Sequence, residues 1–381
     1  MQVYLDCNAT TPPDERVLQA MHDCLAAHWG NPSSLHQAGR AARADLDRAR
    51  EQVAALVGVH PSQVVFTSGG TEANNLALWS FCARAGTPGM LAVSAIEHPS
   101  LLEPARAWAG RGWRLVELPV DGEGRLDMAA LDEALAAGAG LVSVMAANNE
   151  TGVLQDIPAI AERVRAAGGV LHTDAVQMAG KLPLDFAALG AQMMSLSAHK
   201  IHGPKGVGAL ILDKALEFTP MLVGGGQERG RRAGTENVAG IVGFGVAAEL
   251  AAQELEDHST RLRGLRDYLE SRLAELPGVV VFGQGAERLP NTVQLALPGI
   301  EGEALLMQLD REGIAVSSGS ACSSGSREPS HVLTAMGVED TLARGAIRVS
   351  LGRHNTRADI DRLVEVLRRQ QAWARQAAAA W

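Results

Sequence analysis

A regular alternation of short apolar segments and amphipathic stretches runs through the middle of the chain and limits the folds it can adopt. Apolar segments bounded by turn residues are typical of buried strands, whereas apolar residues at helical spacing between them predict helices. The predicted strands cover residues 64–67, 90–95, 114–118, 141–146 and 170–173, and the predicted helices between them cover residues 73–84, 101–109, 128–137 and 157–167. Such alternation indicates an α/β fold, in which a mainly parallel sheet is covered by helices on both faces.

The length of 381 residues predicts a second domain, because one hydrophobic core seldom serves so long a chain. A helical pattern over residues 236–276, stopped by Pro277-Gly278, is expected to lead into it. Strands are then predicted at residues 279–282, 292–297, 314–317 and 347–351, and helices at residues 302–312, 330–336 and 357–373. We therefore assign residues 14–255 to a large domain, and residues 1–13 with 256–381 to a smaller α+β domain.

Charge and apolar content exclude several classes of partner. The formal net charge is −9 and the arginines are scattered among acids, which argues against a nucleic-acid partner. The N-terminus lacks the basic and apolar segments of a secretory signal, and no apolar run is long enough to span a bilayer. We therefore expect a soluble cytoplasmic protein without a membrane partner. The four cysteines form no CxxC pair, so neither a metal site nor a disulfide framework is predicted.

Nearly every predicted strand of the large sheet ends in polar residues. These ends are Ser68-Gly69-Gly70-Thr71, Glu97-His98, Asn148-Asn149-Glu150, Asp174-Ala175-Val176-Gln177 and Ser197-Ala198-His199-Lys200. In an open parallel sheet, ligands bind outside the carboxyl ends of the strands. The sequence therefore predicts that the five polar ends line one crevice.

Two of these ends suit an aromatic aldehyde that carries a phosphate. Lys200 lies at a strand end before a Gly/Pro-rich turn, where partial desolvation would supply the neutral amine that a Schiff base needs. An ordinary strand-end lysine would show the same pattern. The glycine-rich turn before residues 73–84 would direct free backbone N–H groups and the Thr71 hydroxyl at an anion, or it is a simple N-capped turn.

Two further residues of the crevice have a chemical and a structural interpretation. Asp174 could keep a pyridine nitrogen protonated through an ionic hydrogen bond, or it could be an N-cap or a surface acid. His98 could stack on a ring and relay protons, although a histidine at a strand end is more often structural.

The second domain adds an arginine and a cysteine. Arg348 lies in an otherwise apolar strand, which requires a carboxylate partner, either from a substrate or from an internal Asp or Glu. Cys322 lies in a run of small residues, 317–326, that cannot pack a core. A loop of this composition suits a nucleophilic thiol that visits a deep site and then presents its product outside.

The chain resembles the cysteine desulfurases of the NifS/IscS type, within the class-V aminotransferase group of pyridoxal-phosphate enzymes. The motifs that carry the resemblance extend essentially end to end and are Tyr4–Pro12, Ser68–Asn75, Glu97–Ser100, Ala147–Gly152, Asp174–Gln177, Ser195–Gly206, Gly224–Asn237 and Ser317–Leu333. The last has the longer cysteine loop of this type. The resemblance implies the fold of a fold-type I enzyme, with a mainly parallel seven-stranded sheet between helices and a smaller α+β C-terminal domain.

The resemblance also implies roles for single residues. The residues expected to bind the phosphate of pyridoxal 5'-phosphate are Thr71, Ser197, His199 and, through its backbone, Gly70. Thr235 is expected to reach the phosphate of the other subunit of a homodimer. The residues expected around the ring are His98, Asn149, Asp174, Gln177 and Lys200. Lys200 would form the Schiff base and shuttle protons, Asp174 would pair with the pyridine nitrogen, and Gln177 with the ring hydroxyl. Asn149 and Arg348 would orient L-cysteine, Arg348 through its carboxylate.

Cys322 would be the nucleophile of the implied reaction. Its thiolate, formed by proton transfer to His98, would attack the sulfur of L-cysteine, releasing alanine and leaving a persulfide on Cys322. The sulfur would pass to an acceptor protein such as an iron–sulfur scaffold. No C-terminal extension for scaffold contact is evident, which leaves the acceptor open, and Cys7 is interpreted as a core substitution.

Two other classes of function remain to be compared. An aminotransferase or selenocysteine lyase of the same fold would share the cofactor site, but an aminotransferase would not need Cys322. A non-catalytic docking subunit would have no physical need for a partly buried Lys200 and Asp174. The colour of a bound Schiff base would separate an enzyme from such a subunit.

Overall fold

The computed structural model of the protein describes residues 2–318 and 328–379. Cys322 therefore lies outside the described residues. The strands, in chain order, are β1 (Val3–Tyr4), β2 (Val64–Thr67), β3 (Met90–Ser94), β4 (Arg114–Leu118), β5 (Ala139–Ser143), β6 (Val170–Asp174), β7 (Met193–Ser197), β8 (Gly208–Leu212), β9 (Val280–Val281), β10 (Thr292–Ala296), β11 (Ile314–Ala315), β12 (Ser317–Ser318) and β13 (Ala346–Ser350).

A seven-stranded sheet of order β2-β8-β7-β6-β5-β3-β4 forms the centre of the large unit. Neighbouring strands from β7 to β4 pair in parallel, and β8 alone runs against both of its neighbours, β7 and β2. The mainly parallel sheet predicted from the alternation is confirmed, and so are the seven strands that the resemblance implied. Because β8 is reversed between them, β2 and β7 point the same way, and their carboxyl ends lie at the same edge of the sheet as those of β3, β5 and β6.

The helices cover both faces of this sheet and also build the second unit. In chain order they are α1 (Glu15–Ala27), α2 (Gln37–Leu56), α3 (Gly70–Arg84), α4 (Pro99–Ala109), α5 (Met128–Ala136), α6 (Ile157–Ala166), α7 (Phe186–Leu189), α8 (Val238–Gln253), α9 (Leu255–Leu273), α10 (Gly302–Arg311), α11 (His331–Ala335), α12 (Asp340–Arg344) and α13 (Arg357–Ala379). Several begin at acidic N-caps, since Asp14, Asp127 and Asp156 each accept a backbone N–H of the first turn. Core residues of α2, α5, α6 and α8 pack on one face, and those of α3 and α4 on the other.

The prediction of one continuous helix over residues 236–276 is wrong. The backbone leaves the helical conformation at Glu254 (φ −99°, ψ 5°), and α8 and α9 meet there at 72°. The two helices serve different cores, because Phe244 of α8 packs in the large unit whereas Leu262 and Leu269 of α9 pack against the smaller sheet. Within the described residues, no single helix is long and apolar enough to cross a membrane; α8 and α9 satisfy the length and composition only as this bent pair.

The smaller unit is built on a four-stranded sheet of order β12-β13-β10-β9, and β1 pairs separately with β11. The strand predicted at residues 314–317 is thus divided between two sheets, since the chain changes partner between Ala315 and Ser317. Val3 and Leu5 of the N-terminal segment join the core of this unit. The proposed domain boundaries remain a prediction.

Edge strand β2 is bordered by a buried ion pair. Arg50 of α2 and Glu228 join through two hydrogen bonds, of 2.6 and 2.7 Å, and both side chains are buried. Arg50 also donates to the carbonyl of Val64 (2.9 Å), and Glu228 accepts the N–H of Phe66 (2.9 Å). Each of these backbone groups of β2 faces away from β8, so the pair supplies hydrogen-bond partners to one carbonyl and one N–H of the sheet edge.

Close packing of α8 on α2 depends on glycine, and it gives a first testable prediction. A Cβ added at Gly245 would lie 2.7 Å from the Ala49 Cα, whereas one added at Gly264, on α9, would meet no atom within 4 Å. Gly245→Ala should therefore lower the free energy of unfolding by about 1–3 kcal/mol. Gly264→Ala should raise it by roughly 0.5–1 kcal/mol through helix propensity. Urea unfolding followed by circular dichroism measures both, and shifts of the same sign would contradict the packing described.

Candidate active site

The carboxyl ends of β2, β3, β5, β6 and β7 enclose a cavity of about 240 Å³. Its lining includes most of the residues singled out in the sequence, namely Gly70, Thr71, His98, Asn149, Asp174, Gln177, Ser197, His199 and Lys200. Arg348 and Thr235 are not part of this lining, and Cys322 lies outside the described residues. The polar strand ends thus meet as the sheet topology requires.

Lys200 occupies a short 3₁₀ turn directly after β7. Its Nζ donates to the carbonyl oxygens of Asn8 (2.5 Å) and Ala9 (2.8 Å) in the N-terminal segment, of which Ala9 lines the cavity. Both acceptors are neutral. The amine is therefore held beside the cavity by backbone groups that a competing ligand can replace.

Asp174, at the end of β6, is 7 % exposed and has both carboxylate oxygens engaged. Oδ1 accepts the backbone N–H of Val176 (2.9 Å), and Oδ2 accepts Nδ2 of Asn74 (2.8 Å). Asn74 lies on α3 and also donates to the hydroxyl of Ser100 (2.9 Å). The carboxylate thus faces the cavity in a fixed orientation.

His98 is the N-cap of α4. Its Nδ1 accepts the backbone N–H of Ser100 (3.1 Å) and lies 2.7 Å from the Ser100 hydroxyl. Burial lowers the pKa of His98, against the opposing effect of Asp174, which favours a neutral ring at neutral pH. Since Nδ1 accepts a backbone N–H, these hydrogen bonds assign the proton of the neutral ring to Nε2.

An anion cradle lies where α3 begins. The N-cap of α3 is a glycine without a side-chain cap, so its first N–H groups are available to an anion. Ser197 lines this end of the cavity, and its buried hydroxyl has no hydrogen-bond partner among the described residues. A Cβ at Gly70 would lie 3.0 Å from a Val176 methyl, which explains the small residue there. Burial lowers the pKa of His199 to about 4, so its ring is neutral and can donate one hydrogen bond.

Arg348 pairs with an internal acid, one of the two kinds of carboxylate partner that the sequence analysis left open. Its Nη2 lies 2.7 Å from Asp6 Oδ1, and its Nη1 donates to the carbonyl of Asn149 (3.0 Å). The buried Nε has no partner among the residues that the structure describes. To bind a substrate carboxylate, Arg348 must exchange Asp6 for it or use Nε.

Thr235 lines a separate cavity of about 160 Å³, together with Ser68, Glu228 and Arg232. Within one chain it therefore does not join the cavity of Lys200, and its expected role in another subunit stays a prediction.

Two fully buried acids flank the site. Glu97 accepts the N–H of Met145 (2.6 Å), and Glu150 accepts the Ser330 hydroxyl (2.5 Å). Burial raises the pKa of both carboxyl groups, which favours their uncharged forms.

Sequence reasoning missed several groups that position this site. Asn74 and Ser100 orient Asp174 and His98, and the carbonyl of Asn8 holds Lys200. Asn74 lies three residues after Thr71 on α3, so helical spacing could have placed it on the same face. Ser100 follows His98 by two residues, as in an N-cap. The approach of Asn8 from the N-terminus has no local signal.

Comparison with known proteins gives one consistent result. The family model described as "Aminotransferase class-V" matches residues 3–363. A protein of Cereibacter sphaeroides named cysteine desulfurase is 50 % identical over 369 residues, covering 96 % of this chain and 95 % of the relative.

Solved structures agree with this result. A structure described as a NifS-like protein superposes with a TM-score of 0.92 at 37 % identity, over 98 % of this chain and all of that one. A structure described as "SspA in complex with cysteine" has a TM-score of 0.82 at 30 % identity, over 93 % of this chain and all of that one.

Proposed function

We infer, from the premise that this chain belongs to the class-V aminotransferase family, that it is a cysteine desulfurase. The family depends on pyridoxal phosphate. The observation that carries the proposal is the single cavity where the amine of Lys200, the carboxylate of Asp174 and the neutral imidazole of His98 meet. An amine, a fixed anion and a proton carrier are the groups needed to activate an amino acid through such a cofactor.

The cavity fits pyridoxal 5'-phosphate. The unpartnered hydroxyl of Ser197 and the uncapped start of α3 suit its phosphate, and Asp174 suits a protonated ring nitrogen. The residues that would hold it are Gly70, Thr71, Ser197 and His199 at the phosphate, with His98, Asn149, Asp174, Gln177 and Lys200 around the ring. When bound, this group withdraws electrons from the bonds of the carbon that bears the substrate's amino group.

The chain's own residues would then orient L-cysteine and move protons. Arg348 and Asn149 would hold the substrate, with its carboxylate in place of Asp6. Lys200 would accept and return a proton at Nζ. His98 would donate a hydrogen bond from Nε2 to the substrate, because its Nδ1 already accepts the N–H of Ser100. The transfer of the Cys322 thiol proton to His98, which would generate the attacking thiolate, stays a prediction.

Cys322 is the proposed sulfur acceptor. Its thiolate would attack the substrate sulfur, so that the carbon–sulfur bond breaks, a sulfur–sulfur bond forms, and the carbon gains a proton to give alanine. Cys322 would hold the persulfide and pass it to an acceptor protein such as an iron–sulfur scaffold. We further propose a cytoplasmic homodimer in which Thr235 reaches the phosphate of the other subunit, a role that the position of Thr235 outside its own cavity supports.

Product analysis tests the function. Purified protein supplied with pyridoxal phosphate, L-cysteine and a thiol reductant should release alanine and sulfide in equal amounts. Pyruvate and ammonia in place of alanine would indicate an eliminating lyase, and amino-group transfer to an added keto acid would indicate an aminotransferase. A protein without colour and without products would be a non-catalytic subunit.

The site of the sulfur needs a separate measurement. After turnover without reductant, alkylation and peptide mass spectrometry should find the additional sulfur on the peptide that contains Cys322. The natural control is Cys7, which is buried and whose pKa burial raises to about 12. Sulfur on the Cys7 peptide alone would contradict the assignment.

A further inference from the structure

Lys181 is a buried lysine that contacts Gln177 of the cavity lining and that the chemistry above does not use. Its residue exposure is 4 %. Its Nζ donates to the backbone oxygen of Gln177 (2.9 Å) and to Oε1 of the same residue (3.0 Å). Both acceptors are neutral amide oxygens. A buried ammonium is costly to maintain without an anion, so a lysine at this position requires an explanation.

The amine of Lys181 is charged in part of the molecules and neutral in the rest near neutral pH. Burial and the nearby ammonium of Lys200 lower its pKa to about 7, and the Cys7 thiol opposes this shift. Arg348, His199 and His258 also face it electrostatically. At neutral pH the charged groups among these neighbours are Lys200 and Arg348, and the amine of Lys181 changes charge near neutral pH.

Hydrogen bonding fixes how the amide of Gln177 is turned. A lysine amine that donates to the amide must meet the oxygen, so Oε1 faces Lys181. On its other side the amide meets the carbonyl of Asn8, which only accepts, so Nε2 faces Asn8 (3.0 Å). The same carbonyl accepts Nζ of Lys200. The two contacts agree on one orientation, with the donor end of Gln177 beside Lys200.

We propose that Lys181 is a positioning residue that fixes Gln177 with its N–H₂ group towards the cofactor cavity. The site thereby selects a ligand with an acceptor oxygen next to Lys200, as the ring oxygen of pyridoxal phosphate would be. This inference rests on the proposed function. Without Lys181 the amide of Gln177 is held by the contact with Asn8 alone, and its carbonyl oxygen loses a buried donor.

A double-mutant cycle tests the proposal through cofactor affinity. The cofactor-free protein is titrated with pyridoxal phosphate, and binding is followed by visible absorption. Lys181→Met should weaken binding roughly tenfold, the effect of one lost hydrogen bond in a buried site. In a Gln177→Met background, Lys181→Met should change the affinity less than about twofold, because the residue through which it acts is gone.

A second variant separates positioning from a purely structural role. Lys181→Arg keeps donors and charge, and it should retain most of the wild-type affinity if it folds as the wild type does. In Lys181→Met, the visible absorption of the bound cofactor should also titrate at a higher pH, because a positive charge facing Lys200 has been removed. Circular dichroism of the cofactor-free proteins controls for folding.

The outcomes distinguish this inference from the function on which it depends. Wild-type protein that neither binds pyridoxal phosphate nor consumes L-cysteine would overturn the proposed function. Wild-type protein that binds the cofactor, with equal weakening by Lys181→Met in both backgrounds, would overturn only the positioning role. Unchanged affinity and unchanged titration in folded Lys181→Met would overturn it as well.

Discussion

Replacing Lys200 with alanine is expected to abolish both the colour of the protein and its release of alanine. The amine of Lys200 donates hydrogen bonds to the carbonyls of Asn8 and Ala9 at the cavity wall. From this position it would form the covalent link to the cofactor and move the proton of the substrate. Loss of a group that transfers protons alone lowers rates by roughly 10²–10⁴-fold, and loss of the covalent link adds to this. The measurement is absorbance after desalting, followed by alanine formation from L-cysteine.

Two variants serve as matched controls. Lys205→Ala removes an exposed lysine five residues further along the chain and should keep both colour and activity. Cys322→Ala should keep the colour but release no sulfide, because the cofactor site is intact and the acceptor thiol is missing. If Lys200→Ala retained the colour after desalting, the attachment point would be another amine. If Cys322→Ala released sulfide at the wild-type rate, Cys322 would not be the acceptor.

Truncation of Arg50 is expected to give the largest loss of stability. Arg50→Ala leaves the carboxylate of Glu228 buried without its partner, and it also removes a donor from the carbonyl of Val64. Breaking a buried ion pair on one side costs about 3–5 kcal/mol of unfolding free energy. Glu228 and Arg229 also hold positive φ angles, of 47° and 59°, so a strained turn depends on the same contacts.

An exposed ion pair of the same helix provides the control. Arg43 and Asp47 of α2 lie 3.0 Å apart with side chains about half exposed, and Arg43→Ala should change stability by less than about 0.5 kcal/mol. The double variant Arg50→Met with Glu228→Met should lose less than the sum of the single losses, since no charge is left unpaired. Urea unfolding of the wild type, Arg43→Ala, Arg50→Ala, Arg50→Met, Glu228→Met and the double variant measures these differences. Equal losses for Arg43→Ala and Arg50→Ala would contradict the role of burial.

The sequence predicted most of what is local. The alternation of strand and helix patterns predicted the parallel sheet, and the polar residues after the strands predicted most of the cavity lining. The two predictions were possible because each depends on short periodic patterns in the sequence. The bend at Glu254 was missed, since apolar helical spacing continues across it while the two helices join different cores. The acid that pairs with Arg348 could not be chosen, because Asp6 is 342 residues away in the chain. Such contacts are set by topology and leave no local pattern.

The ion pair beside β2 has a consequence for the protein in concentrated solution. A sheet edge with unpaired N–H and C=O groups is a template on which a strand of another molecule can add. Arg50 and Glu228 already fill these positions at Val64 and Phe66, from within the same chain. Their loss would therefore open a polymerisation surface, and the variant would be expected to precipitate at temperatures where it is still folded.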